Sequence, residues 1–353
     1  RAISGIMPCM GVFEIACLTI ALGLFFNFSN GFHDASNIVT TIVSSRSMSI
    51  QRALVMTALL VFLGSLLLGT AVASTIGQGI VDMNVLTIRG IIAAVCAAIA
   101  WNLFTWFIAL PSSSSHALIG GLIGAAVQTS GLGAIEGKSV LAVFAVIFAS
   151  PLLGFAGAYG LTRMNIRIFR HMHPTVANAI LKRLHICSAA MLALSHGTND
   201  AQKAMGLITV SLVVLNRMDP VIMDRFQAHM EAGSFTVPFW VVLACSLALS
   251  LGMLTGGKRI IRTMGTRLFK IKPVHGFGAM LSTALVVYLC SVFGFPVSTT
   301  HIASSGIVGG GSAQRLSIVR WGLTREILLA WIITIPASSG LAYLLSLAMR
   351  AFF

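Results

Sequence analysis

Long apolar runs recur along the whole chain, and they limit its fold more than any other feature of the sequence. Clear examples lie at 53–76, 139–161, 236–256 and 327–349. Each is long enough for a helix to cross the ~30 Å hydrocarbon core of a bilayer, which takes about 20 residues. Charged residues make up only 9% of the 353, against about 25% in soluble proteins. The sequence therefore predicts an all-α polytopic membrane protein with about 10–12 membrane helical segments, surrounded by the lipid bilayer.

Other protein classes fit the composition poorly. The formal net charge is +14, but the basic residues lie in loops between the apolar runs and do not interleave with aromatic residues, so no nucleic-acid partner is expected. The six cysteines are isolated and form no C-x-x-C motif, so neither a disulfide framework nor a zinc site is predicted. The first apolar segment lacks the features of a cleaved signal peptide, and we expect it to span the membrane.

Two motifs occur twice, which indicates an internal repeat. GFHDAS at 31–36 recurs as GTNDAQ at 197–202, and PSSSSHALIGGLIG at 111–124 recurs as PVSTTHIASSGIVG at 296–309. In and beyond the second pair, six residues recur in identical form at one offset of 185. They are Pro111/Pro296, Ser113/Ser298, His116/His301, Gly121/Gly306, Gly124/Gly309 and Pro151/Pro336.

The repeat predicts two homologous halves. The first is 1–162 and contains the motif 111–116, and the second is 186–353 and contains the motif 296–301. The linker 163–185 between them is basic and carries no acid, so it is predicted to lie in the cytoplasm.

Lys and Arg counts also orient the halves. The loop 257–275 is basic and predicted to be cytoplasmic, whereas 217–235 has more acids than bases and is predicted to lie outside. These positions agree if 88–130 enters the membrane from outside and returns, while 276–312 does the same from the cytoplasm. The prediction is two inverted repeats, each with a re-entrant helical hairpin, which is the usual plan of secondary transporters.

The hairpin tips have the chemistry of an anion site. A proline followed by Ser or Thr is typical of a helix start, which offers unpaired N–H groups, hydroxyls and the positive end of the helix dipole. Two such tips meeting near the midplane would surround an oxyanion. An alternative is that the Ser-rich stretches are flexible loops, but polar irregular backbone at membrane depth must be buried in protein or line a cavity. The candidate anion ligands are Ser112, Ser113, Ser114, Ser115, Ser298, Thr299 and Thr300.

Two aspartates lie at matching places in the repeated motifs. Asp34 and Asp200 are each embedded in an apolar segment, where an acid costs about 2.5–3.5 kcal/mol. With Asn37 and Asn199 they supply hard oxygen ligands for Na⁺ or H⁺, or for Mg²⁺. We therefore expect the carboxylates to hold a coupling cation while the tips hold the anion. The alternative is that both aspartates only lock helix packing through hydrogen bonds.

Histidines accompany both motifs. His116 and His301 follow the tips at equivalent positions and could donate to the anion or relay protons, although buried packing is the alternative. His33 and His196 precede the aspartates but do not align within the repeat, so they are weaker candidates.

The motifs NGFHDASN, PSSSSHALIG, SHGTNDAQKAMG and PVSTTH, with the basic GGKRIIRTMG, resemble those of the inorganic phosphate transporter (PiT) family and its bacterial low-affinity members. The resemblance spans nearly the whole chain. It implies a homodimeric phosphate symporter of the bacterial inner membrane, without enzymatic activity or a resident cofactor. It also implies that Asp34, Asn37 and Asp200 join the tip hydroxyls in one phosphate and cation site. Coupling is to Na⁺ in some members and H⁺ in others, and bacterial members carry metal–phosphate complexes.

One position differs between the two motifs. The first reads D-A-S-N and the second reads D-A-Q-K, so Lys203 occupies the place of Asn37. We hypothesise that the Lys203 ammonium replaces one cation, pairs with Asp200 or the anion, and thereby favours proton coupling.

Three alternatives remain open from the residues. A sulfate symporter would use the same donors, but hydrogen phosphate can donate a hydrogen bond to a carboxylate and sulfate cannot. An intramembrane hydrolase would not need its polar motifs in two copies, and a channel would not accumulate substrate against a gradient.

Overall fold

The computed structural model describes residues 11–67, 69–79, 81, 85–135, 137–227, 235–257, 261 and 269–352. Four of the basic residues predicted for the cytoplasmic loop 257–275 lie outside these ranges, as do Asp82 and the part of the predicted outside loop, 228–234, that contains Glu231. The described chain is organised as twelve α-helices. They are α1 Val12–Ser44, α2 Ile50–Leu67, α3 Ala71–Gln78, α4 Ile88–Phe107, α5 Ser114–Ser130, α6 Gly137–Phe169, α7 Pro174–Asn216, α8 Ile222–Arg225, α9 Phe239–Thr255, α10 Pro273–Val292, α11 Thr299–Gln314 and α12 Trp321–Phe352.

Seven of these helices are long and apolar enough to cross a membrane, namely α1, α2, α4, α6, α7, α10 and α12. The helices α5, α9 and α11 are shorter, with 17, 17 and 16 residues. Counting them gives ten membrane segments in the described chain, the lower end of the predicted range. Large apolar side chains such as Leu152 and Ile332 are 71% and 65% exposed, as expected for helix faces that meet lipid. The predicted class, an all-α multi-pass membrane protein, is confirmed.

The offset of 185 extends from the motif residues to the helix bounds. Residues 88–107 of α4 correspond at this offset to 273–292 of α10, and the starts of α5 and α11 at Ser114 and Thr299 correspond as well. Each pair is followed by a short 3₁₀ turn and a long helix that contains an internal proline. The two segments therefore have the same order of elements, while their opposite orientation in the membrane stays a prediction.

Both α4 and α10 end in the same way just before a tip. Ala109 and Gly294, which also correspond at an offset of 185, adopt positive φ angles of 57° and 73°. The next N–H in each case bonds back around the helix end, from Leu110 to the Thr105 carbonyl at 3.0 Å and from Phe295 to the Cys290 carbonyl at 2.8 Å. This left-handed ending satisfies terminal carbonyls and reverses the chain direction.

The halves hold each other's hairpins. Helix α5 packs along α12, and α11 packs along α6. A Cβ atom at Gly124 would collide with the Ser339 carbonyl, and one at Gly309 would collide with the Phe155 carbonyl. Small residues at these two equivalent positions therefore allow the close helix contacts, and each tip is positioned by the opposite half.

Candidate functional site

The two tips meet inside the protein. Their hydroxyl residues, Ser112 to Ser115 and Ser298 to Thr300, are all buried. Ser113 Oγ accepts from the His116 N–H at 3.1 Å, and Ser298 Oγ accepts from the His301 N–H at 3.2 Å. Both half-helices therefore start with the predicted serine N-cap. Ser115 Oγ also donates to the Val297 carbonyl at 3.0 Å, which is a direct contact between the tips.

Asp34 of α1 is bound by the tip of the other half. Thr300 Oγ1 donates to Asp34 Oδ1 at 2.9 Å, and Thr299 Oγ1 lies 3.4 Å from Asp34 Oδ2. Asn37 lies one helical turn after Asp34, and its Nδ2 donates to Thr300 Oγ1 at 3.0 Å. His33 Nδ1 lies 3.2 Å from Asp34 Oδ1. The first carboxylate is thus surrounded by hydroxyl, amide and imidazole groups.

Asp200 of α7 is bound differently, because its neighbour one turn on is a lysine. The Lys203 ammonium donates to Asp200 Oδ1 and to Ser115 Oγ, and it reaches the Val297 carbonyl at 3.0 Å. Both Lys203 and Asp200 are 0% exposed. A charge buried so deeply is tolerated only when it is paired and hydrogen-bonded. Lys203 therefore ties the second carboxylate to both tips.

Thr299 links the two carboxylates. Its hydroxyl lies 3.1 Å from Asp200 Oδ2 and 3.4 Å from Asp34 Oδ2. A hydroxyl has a single proton, so it can donate fully to only one of these oxygens at a time. The carboxylates face each other across this one group.

A cation could bind where the carboxylates face each other. Ligand atoms of Asp34, His196 and Asp200 lie within 4.8 Å of one another. His196 Nδ1 is 3.3 Å from Asp200 Oδ2, but the geometry is not that of a hydrogen bond, so both ring nitrogens of His196 lack a hydrogen-bond partner among the described residues. Two carboxylates and an unpartnered imidazole form a donor set that fits a cation or a proton.

Asn30 was not among the predicted site residues, and His196 was rated only a weaker candidate. His196 lies four residues before Asp200, and Asn30 lies four residues before Asp34, whose motif it begins. Asn30 Oδ1 accepts from Ser114 Oγ at 2.5 Å. Residues four apart on a helix share one face, and this spacing was the signal that could have identified both.

Other predicted residues support the hairpins. Asn199 Nδ2 donates to Ser291 Oγ at 3.0 Å and to the Phe295 carbonyl at 3.2 Å, so it braces the end of α10. Ser112 Oγ lies 2.7 Å from Thr105 Oγ1 and closes the turn within its own hairpin. These contacts hold the tips and do not involve the carboxylates.

His116 and His301 touch each other behind the tips. Their ring centroids are 4.3 Å apart in an edge-to-face arrangement, and His301 stacks on Trp331 at 3.9 Å. Both rings are buried. Within the described residues, the two ring nitrogens of His116 and Nε2 of His301 have no hydrogen-bond partner. Each histidine directly follows a tip hydroxyl, in Ser115 and Thr300.

Comparison with known proteins agrees with this geometry. The family model described as the phosphate transporter family matches residues 30–342, which include every motif and both tips. The chain belongs to this family. The transporter therefore comes from a family of phosphate carriers and not of enzymes, which confirms the resemblance found in the sequence and disfavours the hydrolase and sulfate alternatives.

Relatives match the transporter over most of its length. It is 42% identical over 320 residues to the "Probable low-affinity inorganic phosphate transporter" of Rhizobium meliloti (strain 1021), covering 91% of this chain and 92% of the relative. The protein of that name in Bacillus subtilis (strain 168) is 38% identical over 329 residues, covering 93% and 95%. The "Low-affinity inorganic phosphate transporter PitA" of Escherichia coli (strain K12) is 27% identical, covering 94% and 96%.

A solved structure shares the fold. The structure titled "The sodium-dependent phosphate transporter" superposes with a TM-score of 0.84 at 21% identity, covering 96% of this chain and 100% of that one. Together with the family match, this fold supports a multi-pass transporter of the plasma membrane.

Proposed function

We propose that the transporter imports inorganic phosphate by symport with a cation, with alternating access to a site between the two tips near the membrane midplane. The observation that carries this proposal is the meeting of two hydroxyl-rich helix starts with two carboxylates and one ammonium in the buried interior. Helix starts and Lys203 favour an anion, whereas the carboxylates favour a cation. Each ligand then makes the other's site more favourable, which is the physical basis of symport.

Phosphate binding requires a rearrangement of the tips. The Lys203 ammonium has three protons, and it already contacts Asp200, Ser115 and the Val297 carbonyl. A phosphate between the tips would replace the contact of Ser115 with Val297 and take over donors from Lys203 and the threonines. The tips would therefore part to admit the anion, and this parting is the movement that alternating access needs.

Lys203 favours the proton as the coupling cation. The Lys203 ammonium beside Asp200 occupies the place that a metal ion would take in the second half, while Asn37 is neutral in the first. The remaining group of Asp34, His196 and Asp200 can take up a proton or bind Na⁺, or hold a divalent metal such as Mg²⁺ that travels with phosphate. His116 and His301 adjoin the tips and would relay that proton or donate to the anion.

Topology and assembly follow the same proposal. The offset of 185 that relates α4 to α10 and α5 to α11 supports two inverted repeats whose hairpins enter from opposite faces. Accordingly, 163–185 would lie in the cytoplasm and 217–235 outside. Assembly as a homodimer rests on the family resemblance, and cross-linking in native membranes tests it.

Uptake of labelled phosphate into proteoliposomes, with Na⁺ and H⁺ gradients imposed separately, tests the function. We expect uptake to follow the pH gradient, to resist excess sulfate and to be lost in Asp34→Asn and Asp200→Asn. Asp224→Asn, which changes an exposed carboxylate in the same way, is the matched control. Uptake that needs Na⁺ and ignores the pH gradient would refute proton coupling, and undiminished uptake in both aspartate variants would refute the site.

A further inference from the structure

A separate cavity opens at the ends of four helices. Its volume is about 540 Å³, and it lies where α4 begins and where α5, α7 and α12 end. Neither the tip hydroxyls nor the aspartates are among the described residues that line it. The cavity is therefore distinct from the site between the tips.

Three arginines at the ends of three helices line this cavity. Arg89 is the second residue of α4, Arg217 directly follows α7, and Arg350 lies in the last turn of α12. None of the described lining residues is acidic. A guanidinium offers a planar fork of donors that matches phosphate oxygens in pairs. The forks of Arg89 and Arg350, with no carboxylate among the described lining residues, therefore attract an anion to this pocket.

Polar groups between the arginines add further donors. Ser346 Oγ donates to Gln128 Oε1 at 2.8 Å, which leaves the amide NH₂ of Gln128 as the donor for a ligand. Thr87 caps the start of α4 by accepting from the Gly90 N–H at 3.2 Å. The positive end of the α4 dipole therefore lies at the cavity. Ile15 and Leu86 contribute apolar wall beside these groups.

Membrane orientation does not explain these arginines. By the topology predicted from the charge counts, the ends of α7 and α12 and the start of α4 lie outside, where the positive-inside rule disfavours Lys and Arg. The arginines at the opposite end, Arg163 and Arg167, belong to the predicted cytoplasmic linker and fit the rule. Because the positive-inside rule does not account for these arginines, we look for their role in ligand binding.

We propose that this cavity is a second binding site, which holds a phosphate group in the forks of Arg89 and Arg350. Such a group comes from two sources, inorganic phosphate arriving from solution or the headgroup of an anionic phospholipid whose chains lie on the apolar wall. The inference goes beyond the proposed function, because the pocket binds phosphate groups whatever cation drives uptake.

Binding measurements on the purified, delipidated transporter test the proposal. The test variant is Arg89→Gln/Arg350→Gln. The control is Arg225→Gln, because Arg225 is the last residue of α8 and does not line the cavity. Its guanidinium carbon lies 5.9 Å from the centre of the Phe13 ring. In the first arm, equilibrium dialysis with labelled inorganic phosphate is done on the Lys203→Met/Asp200→Asn background, which lacks the ammonium proposed to bind phosphate between the tips. We expect the test variant to weaken the remaining binding by about tenfold for each arginine removed.

The second arm measures retained lipid. Protein washed from vesicles of phosphatidylglycerol or phosphatidylcholine is analysed by native mass spectrometry for bound phospholipid. Loss of phosphate binding in the test variant assigns the pocket to inorganic phosphate, and loss of phosphatidylglycerol alone assigns it to the lipid headgroup. If the test variant matches Arg225→Gln in both arms while its thermal unfolding is unchanged, the proposal is wrong. Because neither arm measures uptake, this failure is distinguishable from failure of the symport proposal.

Discussion

The two halves of the transporter build the same contact with different charge. In the first half, Asn37 donates to Thr300 of the opposite tip, and in the second, Lys203 donates to Ser115. Ser115 and Thr300 correspond at the offset of 185. The Thr300 hydroxyl in turn donates a hydrogen bond to Asp34, whereas the Ser115 hydroxyl donates to the Val297 carbonyl. The scaffold is thus repeated while the charge is not, and we propose that this difference selects the coupling cation.

Of the changes at these two equivalent positions, removing the Lys203 charge should lower stability and phosphate uptake the most. Lys203→Met leaves Asp200 buried without its cation, and breaking a buried pair in this way costs about 3–5 kcal/mol. We expect a large fall in thermal stability and loss of phosphate uptake. Asn37→Ala, at the equivalent position, removes only a neutral donor and should cost about 1–3 kcal/mol.

A double variant separates charge from packing. In Lys203→Met/Asp200→Asn both buried charges are gone, so much of the lost stability should return although uptake stays absent. The measurements are thermal unfolding in detergent and uptake in proteoliposomes. Equal losses of stability in the single and double variants would mean that the ion pair does not account for the effect of Lys203.

Substitutions of Thr299 and Thr300 should affect uptake differently, because the two hydroxyls contact different numbers of carboxylates. Thr299→Val removes the only hydroxyl that contacts both Asp34 and Asp200 among the described residues, and it should cost about 1–3 kcal/mol and shift the pH dependence of uptake. Thr300→Val removes a donor to Asp34 alone and should weaken uptake without that shift. Parallel pH profiles of uptake decide between these outcomes, and identical profiles would contradict the linking role of Thr299.

Much of the site was predictable because its chemistry is local or repeated. The serine caps of Ser113 and Ser298 follow from the residues at each helix start, and the recurring spacing relates the two tips. Lys203 lies one turn after Asp200, so their pairing also follows from helix geometry. Asn199 is next to Asp200, and a rotation of about 100° per residue directs it elsewhere, which the prediction did not take into account.

The remaining contacts depend on tertiary packing. Nothing local in the sequence relates Trp331 to His301, or Asn30 to Ser114, because the two residues of each pair lie on different helices that only tertiary packing brings together. The link of Thr299 to both carboxylates likewise depends on how α1 and α7 approach the second tip. Such neighbours are fixed by close helix contacts, including those at Gly124 and Gly309, and not by any motif.

The turns that end α4 and α10 hold different residues at equivalent positions, an alanine and a glycine. Ala109 and Gly294 share the left-handed conformation, which costs an L-residue about 1–2 kcal/mol relative to glycine. Gly294→Ala should therefore destabilise the transporter by about that amount, and Ala109→Gly should stabilise it by about 1 kcal/mol. Thermal unfolding of both variants checks the opposite signs, and changes of the same sign would show that the two turns are not equivalent.

Removal of the two serine caps should give the smallest difference in lost stability between the halves. Ser113→Ala and Ser298→Ala each remove one cap hydrogen bond of nearly equal length, 3.1 and 3.2 Å, and each should cost about 1 kcal/mol. Because both caps hold the N–H of a histidine in the shared His116–His301 contact, their effects on stability should be similar, while their sum in the double variant should depart from additivity. Unfolding of the two single variants and the double variant measures this coupling. Additive losses would mean that the tips are held independently, and that the contact between the histidines carries no energetic link between the two halves.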